Sequence, residues 1–251
     1  MDPAERPAVI VVGAGLAGCE AAWGLAQRGV PTLLVTISLD TIANLAADDW
    51  SFEPPPGGLL ARLAPEARPA ATWSARALHR GAKRELEQQR AVHVLQSTVV
   101  GVRTDATGTV LGVDTWEGVA RHGAHVALCV GSFLRPRLRM GTSEEVAGRL
   151  SELADDALHR DLAARGVRFE RRRLERPGDD RTPGYVVDFE VVAAAEVAPD
   201  GALGRLPGLF AYGVCAGATT AEAAARAGVT AAARLAAGGS GAARSGTLGD
   251  A

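Results

Sequence analysis

Four consecutive apolar residues, Val9 to Val12, run straight into Gly13-Ala14-Gly15-Leu16-Ala17-Gly18, and no other stretch narrows the possible folds as far. A mostly β-branched run of this kind suits a strand buried on both faces, and G-x-G-x-x-G spacing directly after it suits a strand, turn, helix unit. The three glycines have separate steric roles. Gly13 permits the tight turn, Gly15 lets a pyrophosphate approach the backbone, and Gly18 lets the helix lie close on the sheet. The helix N-terminus holds an anion through unpaired N–H groups and its positive dipole end, without a basic side chain. Ala22, Leu25 and Gly29 continue one helical face, and Val30 to Val35 reads as the next apolar strand, which completes a βαβ half. The residues therefore point to a dinucleotide, with an ordinary strand-helix turn as the competing reading. Nicotinamide and flavin sites usually carry Asp or Glu at the end of the second strand. Here Thr36 stands there, and the ribose falls to Thr36, Ser38, backbone, or Asp40 folding back.

At 251 residues and 47% apolar composition the chain can bury one large α/β domain, expected over residues 1–237. Residues 238–251 are Gly, Ser and Ala with little to bury, so a disordered tail is expected there. A net charge of −2 gives no global attraction to nucleic acid. Lys83 is the only lysine among 27 basic residues, so clusters of arginine follow from composition and carry little functional weight. Cys19, Cys129 and Cys215 are odd in number and widely spaced, which excludes a disulfide framework and a C-x-x-C motif. No segment resembles a signal sequence and no run nears the roughly 18 apolar residues of a membrane span, so a cytoplasmic protein is expected.

Past Thr36 the pattern predicts a long irregular excursion, Ser38 to Trp73, carrying Pro54-Pro55-Pro56-Gly57-Gly58 and a short helix near Leu59 to Leu63. Trp50, Phe52 and Trp73 would anchor it, as a cofactor lid or as a surface loop. A helix follows over Ser74 to Arg90 with Ser74 as N-cap, then a strand at Val92 to Leu95, a hairpin of Thr98 to Arg103 with Val110 to Trp116, and a buried strand from His125 to Val130. Arg135, Arg137 and Arg139 alternate and would suit phosphate, although a solvated face fits them too. Ser143 to Arg165 reads as one helix, Val167 to Phe169 as a short strand, and Arg171 to Gly184 as polar loop. Tyr185 to Val192 alternates like a strand, Leu209 to Tyr212 is a short apolar strand, and Ala218 to Leu235 is an alanine-rich closing helix. The fold class is α/β: a doubly wound, Rossmann-like domain on a parallel sheet, with a hairpin attached.

Six separated segments share one further pattern: residues 9–22, Thr-Leu-Leu-Val-Thr (32–36), Leu-Asp-Thr (39–41), Ala-Leu-His-Arg (77–80), Val-Gly-Ser-Phe-Leu (130–134) and Gly-Leu-Phe-Ala-Tyr-Gly (208–213). In this order they resemble the glucose-inhibited division protein A (GidA) family, flavin enzymes that modify the wobble uridine of tRNA, with folate-dependent tRNA methyltransferases as relatives. The resemblance implies FAD lying along the sheet. Gly13, Ala14, Gly15, Leu16, Ala17 and Gly18 would meet the pyrophosphate, Thr36 the adenosine ribose and Val99 the adenine. Gly131, Ser132 and Phe133 would line the nucleotide, and Gly213 and Val214 would approach the flavin, toward which the closing helix would aim its N-terminus. The chain departs from the pattern after Leu-Asp-Thr, where the family's Ser-Cys-Asn-Pro is replaced by a stretch with no cysteine. The nicotinamide-handling insertion and the helical tRNA-gripping domain have no room in 251 residues.

Among the remaining candidates, Cys215 reads either as a redox thiol near the flavin or as a small buried turn filler, and Cys129 and Cys19 read as core and helix packing. His122 and His125 lack neighbours to complete a metal shell, so no metal is expected. His79 and His159 read as surface or cap residues, Glu222 is a candidate for touching flavin or substrate, and no catalytic residue is assigned. Three functions fit: an FAD-dependent oxidoreductase, with NADH as possible donor and tRNA as the substrate the resemblance implies; an FAD-binding subunit or redox carrier needing a partner protein; and a nicotinamide module. The glycine segments at Gly131 and Gly213 favour flavin, since a nicotinamide-only Rossmann domain needs neither.

Overall fold

The computed structural model describes residues 7–45, 50–68, 71–178 and 183–242. β1 (Val9–Val12) leads through the glycine turn into α1 (Leu16–Ala26) and returns as β2 (Thr32–Thr36). A 3-10 turn at Leu39–Thr41 precedes α2 (Leu59–Ala67), α3 (Ala75–Glu87) and β3 (Val92–Gln96). β4 (Val99–Thr104), β5 (Val110–Thr115) and β6 (Ala120–His122) form an antiparallel sheet, after which β7 (His125–Leu128) re-enters the core. Next come β8 (Arg137–Met140), β9 (Ser143–Glu145), β10 (Ala147–Arg149), β11 (Glu152–Leu153), α4 (Ala157–Ala164), β12 (Phe169–Arg176) and β13 (Tyr185–Val192). β14 (Leu209–Ala211) and α5 (Ala221–Ala242) end the described chain.

The central sheet has the order β14-β7-β1-β2-β3 and every pairing in it is parallel. Val9 and Val11 point to one face, where they join Leu34 and the apolar sides of α1, α2, α3 and α5. Ile10 and Val12 point to the other, against Val102 and Val113 of the antiparallel sheet and Leu158 and Leu162 of α4. All four β1 residues are therefore buried, which is why this strand is continuously apolar. Each such side chain contributes roughly 1.5–3 kcal/mol of burial energy. The protein is thus a mixed α/β fold, with helices on one face of the parallel sheet and mostly antiparallel strands on the other. A third apolar cluster, with Leu138, Tyr185, Val187 and Phe189, sits on the four-stranded sheet β12-β13-β8-β9.

Two expected elements are corrected. Ser143 to Arg165 is not one helix: β9, β10 and β11 occupy its first half and only Ala157–Ala164 is helical. Val146, Leu150 and Leu153 imitate a helical stripe, yet Leu153 is 69% exposed, and Gly148 sits where a β-carbon would lie 2.7 Å from the Phe133 ring. A mid-segment glycine costs a helix about 1 kcal/mol, and β9 instead pairs with β8, setting Glu144 opposite Arg139. The stretch after Arg171 is not loop up to Arg176, because β12 pairs with β13 along its whole length. Its sequence has no strand period, so the pairing is imposed by the alternating apolar residues of its neighbour; its arginines and glutamates suit an edge strand. Smaller differences are the extension of α2 to Ala67, the strand β6, and a closing helix that begins at Ala221, three residues late, after Gly217 (φ +97°) ends a 3-10 turn. The helix also continues through residues 238–242 of the expected tail, and 243–251 lie outside the described residues.

The excursion after β2 is tied down by Glu20, a fully buried residue of α1. Its carboxyl accepts hydrogen bonds from the Leu59 N–H (2.7 Å) and the Leu60 N–H (3.0 Å), so it caps the first turn of α2 from another helix. Gly58 is required beside it, since a β-carbon there would overlap the carboxylate. Burial pushes the Glu20 carboxyl up to about 7, against the two N–H bonds that draw it down. Because the folded state binds this proton more tightly than the unfolded chain, the contribution to stability is complete below about 4.5 and is lost as pH rises through about 7. We expect wild-type stability to fall by roughly 3 kcal/mol from pH 4.5 to pH 8 relative to Glu20→Gln. Urea unfolding of both proteins across that range checks this, and parallel pH profiles would contradict it.

Candidate functional site

A cleft of about 360 Å³ lies beyond the C-terminal ends of β1, β2 and β7, lined there by Val12 and Gly13, Val35 and Thr36, and Cys129 and Val130. Ligands of open α/β sheets bind in this position. Gly13 turns the chain with φ +98°, donates its N–H to Val35 O at 2.7 Å, and would place a β-carbon 2.5 Å from the Cys129 carbonyl oxygen. Gly15 is the N-cap of α1 in extended conformation; no side chain caps the helix and no acid lies in its first turn. A β-carbon on Gly15 would meet nothing within 4 Å, so its open side faces the cleft. The helix end thus offers uncapped N–H groups and positive potential to an anion that can approach the backbone closely.

The residues singled out in the sequence divide into two groups. Gly13, Ala14, Gly15, Leu16, Ala17, Thr36 and Val99 line the cleft, as do Gly131, Ser132, Phe133 and Val214. Gly18, Ser38 and Gly213 do not. Gly18 is buried beneath the turn, where a β-carbon would overlap the Gly13 carbonyl oxygen, and a β-carbon on Gly213 would lie 2.8 Å from Ala17 Cβ. Ser38 spends its hydroxyl on the Asp40 N–H (3.1 Å), capping the 3-10 turn. Asp40 itself is exposed and off the cleft. The Thr36 hydroxyl donates to Ser38 O at 3.2 Å, which leaves it able to accept from a ligand. Ser132 donates to Gly148 O at 2.7 Å, fixing the Gly131 turn on β10.

Further residues complete the cleft, and the closing helix reaches it with its N-terminus, as the resemblance implies. Thr219, Thr220 and Ala221 bring the start of α5 to the cleft, with the Thr220 hydroxyl accepting from Ala223 N–H at 3.1 Å. Arg149, Glu152, Arg172 and Arg176, from strands expected as helix and loop, form the wall opposite together with Tyr185 and Phe189 of β13, a strand that the alternation predicts. Trp50, the expected aromatic anchor, borders the same space.

The side chains that could do chemistry unaided are occupied. Glu152 accepts from Asn44 and Arg149, both at 3.1 Å. Arg135 pairs with Glu190 (3.0 Å), Arg137 with Asp156 (2.9 Å) and Arg139 with Asp188, so these arginines are held by carboxylates instead of being offered together to phosphate. All three thiols are buried. Burial pushes Cys19 up to about 12 and Cys215 up to about 11, and raises Cys129 well above the ordinary thiol range. Cys215 donates to Leu128 O and Tyr212 O, both at 3.3 Å, as a packed turn filler and not as a thiolate. His159 is buried, not a surface residue, with Nε2 2.7 Å from Glu190 Oε2, and His79 Nδ1 lies 2.8 Å from Ile42 O. Glu222 pairs with Arg226 at 2.7 Å and is off the cleft. Among the described residues no acidic, His or Cys cluster could hold a metal, and no helix is long and apolar enough to cross a membrane.

Comparison with known proteins agrees with this geometry. The family described as Glucose inhibited division protein A matches residues 8–54 and 65–176. The tRNA uridine 5-carboxymethylaminomethyl modification enzyme MnmG of Chlamydia trachomatis (serovar L2b) is 33% identical over 210 residues, covering 73% of this chain and 34% of the relative. The chain therefore spans about a third of the length of the curated relatives it matches. The crystal structure of the GidA-related protein from Thermus thermophilus is similar with a TM-score of 0.82 and 36% identity, over 92% of this chain and 98% of that one. GidA of Aquifex aeolicus (form II crystal) shares the fold with a TM-score of 0.85 at 17% identity, covering 96% of this chain and 64% of the other. With the glycine turn, the ordered segments that follow it and the family match in agreement, the chain belongs to the glucose-inhibited division protein A family.

Proposed function

We propose that the cleft binds FAD and that the protein is an FAD-dependent oxidoreductase acting in tRNA uridine modification. The single observation that carries FAD binding is the continuity of the cleft across the sheet. Strand order places Thr36 of β2 on one side of the glycine turn of β1, and Val130 after β7 and Val214 after β14 on the other. An extended dinucleotide fits that line, with adenosine at Thr36 and Val99, pyrophosphate at Gly13 to Ala17, and the ring system between Val214 and Tyr185. Gly15 supplies the open cradle and the α1 terminus the positive potential. FAD, when bound, supplies hydride transfer. The protein's residues would orient it, exclude water through Phe133, Tyr185 and Phe189, and favour negative charge at the ring end through the α5 terminus.

The substrate follows from the family, whose relatives are named for tRNA uridine. NADH is the proposed electron donor. A second reading is an FAD-binding subunit or redox carrier that needs a partner protein, and one observation favours it: there is no cysteine where the family pattern carries Ser-Cys-Asn-Pro.

FAD titration of the cofactor-free protein tests the reading. Gly15→Val should fold with a stability within about 1 kcal/mol of wild type, because no protein atom lies within 4 Å of where its β-carbon would stand. The same variant should lose FAD affinity by at least about 100-fold, because the valine occupies the pyrophosphate's approach. Thr36→Val, which removes one hydroxyl, should weaken FAD about fivefold. Full FAD binding by Gly15→Val would overturn the placement, and a wild-type protein without FAD affinity would overturn the function.

A further inference from the structure

Among the described residues two tryptophans, Trp23 and Trp50, have a buried indole N–H with no acceptor, and of these only Trp50 borders the cleft. Its backbone is fixed: the carbonyl accepts the Trp73 N–H at 2.8 Å. Trp73 is fully buried, stacks on Phe52 with ring centroids 5.2 Å apart, and donates its own indole N–H to Phe52 O at 3.0 Å. The excursion thus delivers Trp50 from a rigid base. Its ring is covered by the Arg176 guanidinium, 4.3 Å from the centroid, at the end of β12, and Arg176 and its strand partner Tyr185 both border the cleft. A cation over an indole is attracted by the negative face of the ring and favours one orientation of it. A buried N–H left without an acceptor loses its solvation without replacement, so its place on a ligand wall calls for an acceptor.

We propose that Trp50 is a contact residue for the ring system of the bound dinucleotide: its indole packs on the ring end of the cofactor and Nε1–H donates to an acceptor there, with Arg176 as the positioning residue that clamps it. The assignment rests on FAD as the occupant of the cleft. It gives the excursion between β2 and α2 a binding role, and it explains why β12 is drawn against the cleft although its sequence does not ask for a strand. It also makes one prediction that a merely structural tryptophan would not share. An indole in contact with a flavin quenches the flavin's emission, so the emission of bound FAD reports on Trp50 directly.

The experiment measures FAD affinity, FAD dissociation rate and bound-FAD emission for wild type, Trp50→Phe, Trp50→Ala, Arg176→Ala and Trp23→Phe. Trp50→Phe keeps an aromatic ring and loses only the N–H, so affinity should fall about fivefold to tenfold. Trp50→Ala should bind more weakly still and emit more strongly. Arg176→Ala should release FAD faster while keeping part of the quenching, since the indole remains but is no longer held. Trp23→Phe removes an equally unpartnered N–H away from the cleft and should match wild type. Wild-type affinity and emission in Trp50→Ala, with wild type itself binding FAD, would overturn this assignment alone. A wild-type protein that binds no FAD would overturn it together with the reading of the cleft.

Discussion

The carbonyl oxygen of Gly13 occupies the space that a β-carbon on Gly18 would need, and the rest of the structure depends on that approach. It lets α1 descend onto the end of β1, so that the helix N-terminus opens toward the space above β1, β2 and β7. With α1 this low, α5 can pack across it. Gly228 lies against the Ala17 carbonyl, and a β-carbon on Gly24 would come within 2.6 Å of Ala232 Cβ. Small residues at these crossings, and not a long apolar stripe, set the distance between the two helices. The start of α5 is thereby held at the cleft, one end of which it forms.

The parts of the fold legible in the sequence are those in which local preference and tertiary position agree. Val9 to Val12 is apolar because both faces are covered, and Ser74 caps α3 as its hydroxyl suggests, accepting from Ala77 N–H at 3.4 Å. The illegible parts are those where a neighbour decides. β12 is a strand because β13 pairs with it, and residues 143–153 are strands because β8 and the Phe133 ring require them. Glu20 was illegible for another reason. Its partners, the N–H groups of Leu59 and Leu60, lie 39 and 40 residues away and leave no side-chain signature beyond Gly58.

The same division runs through the site. The geometry written in glycine was legible: Gly13 turns the chain, Gly15 borders the cleft and Gly18 lies beneath the turn. Hydroxyl and carboxyl roles were not, because their partners are set by the fold: Ser38 caps a turn, and His159 is spent on Glu190. The wall of the cleft opposite the glycine turn includes Arg172 and Arg176 of β12, which has no strand period of its own, and Tyr185 of β13, whose strand is legible but whose place at the cleft is set by the fold. What remains around the cleft is apolar surface, backbone N–H groups, the buried Cys129 thiol and the ion-paired Glu152 carboxylate. A lining of that kind orients and shields a bound group.

The visible absorption spectrum of the purified protein, recorded without oxygen before and after NADH is added, tests this account most directly. Flavin bands that bleach on addition of NADH are the predicted result. A protein that is colourless as purified and stays colourless after incubation with FAD would contradict it.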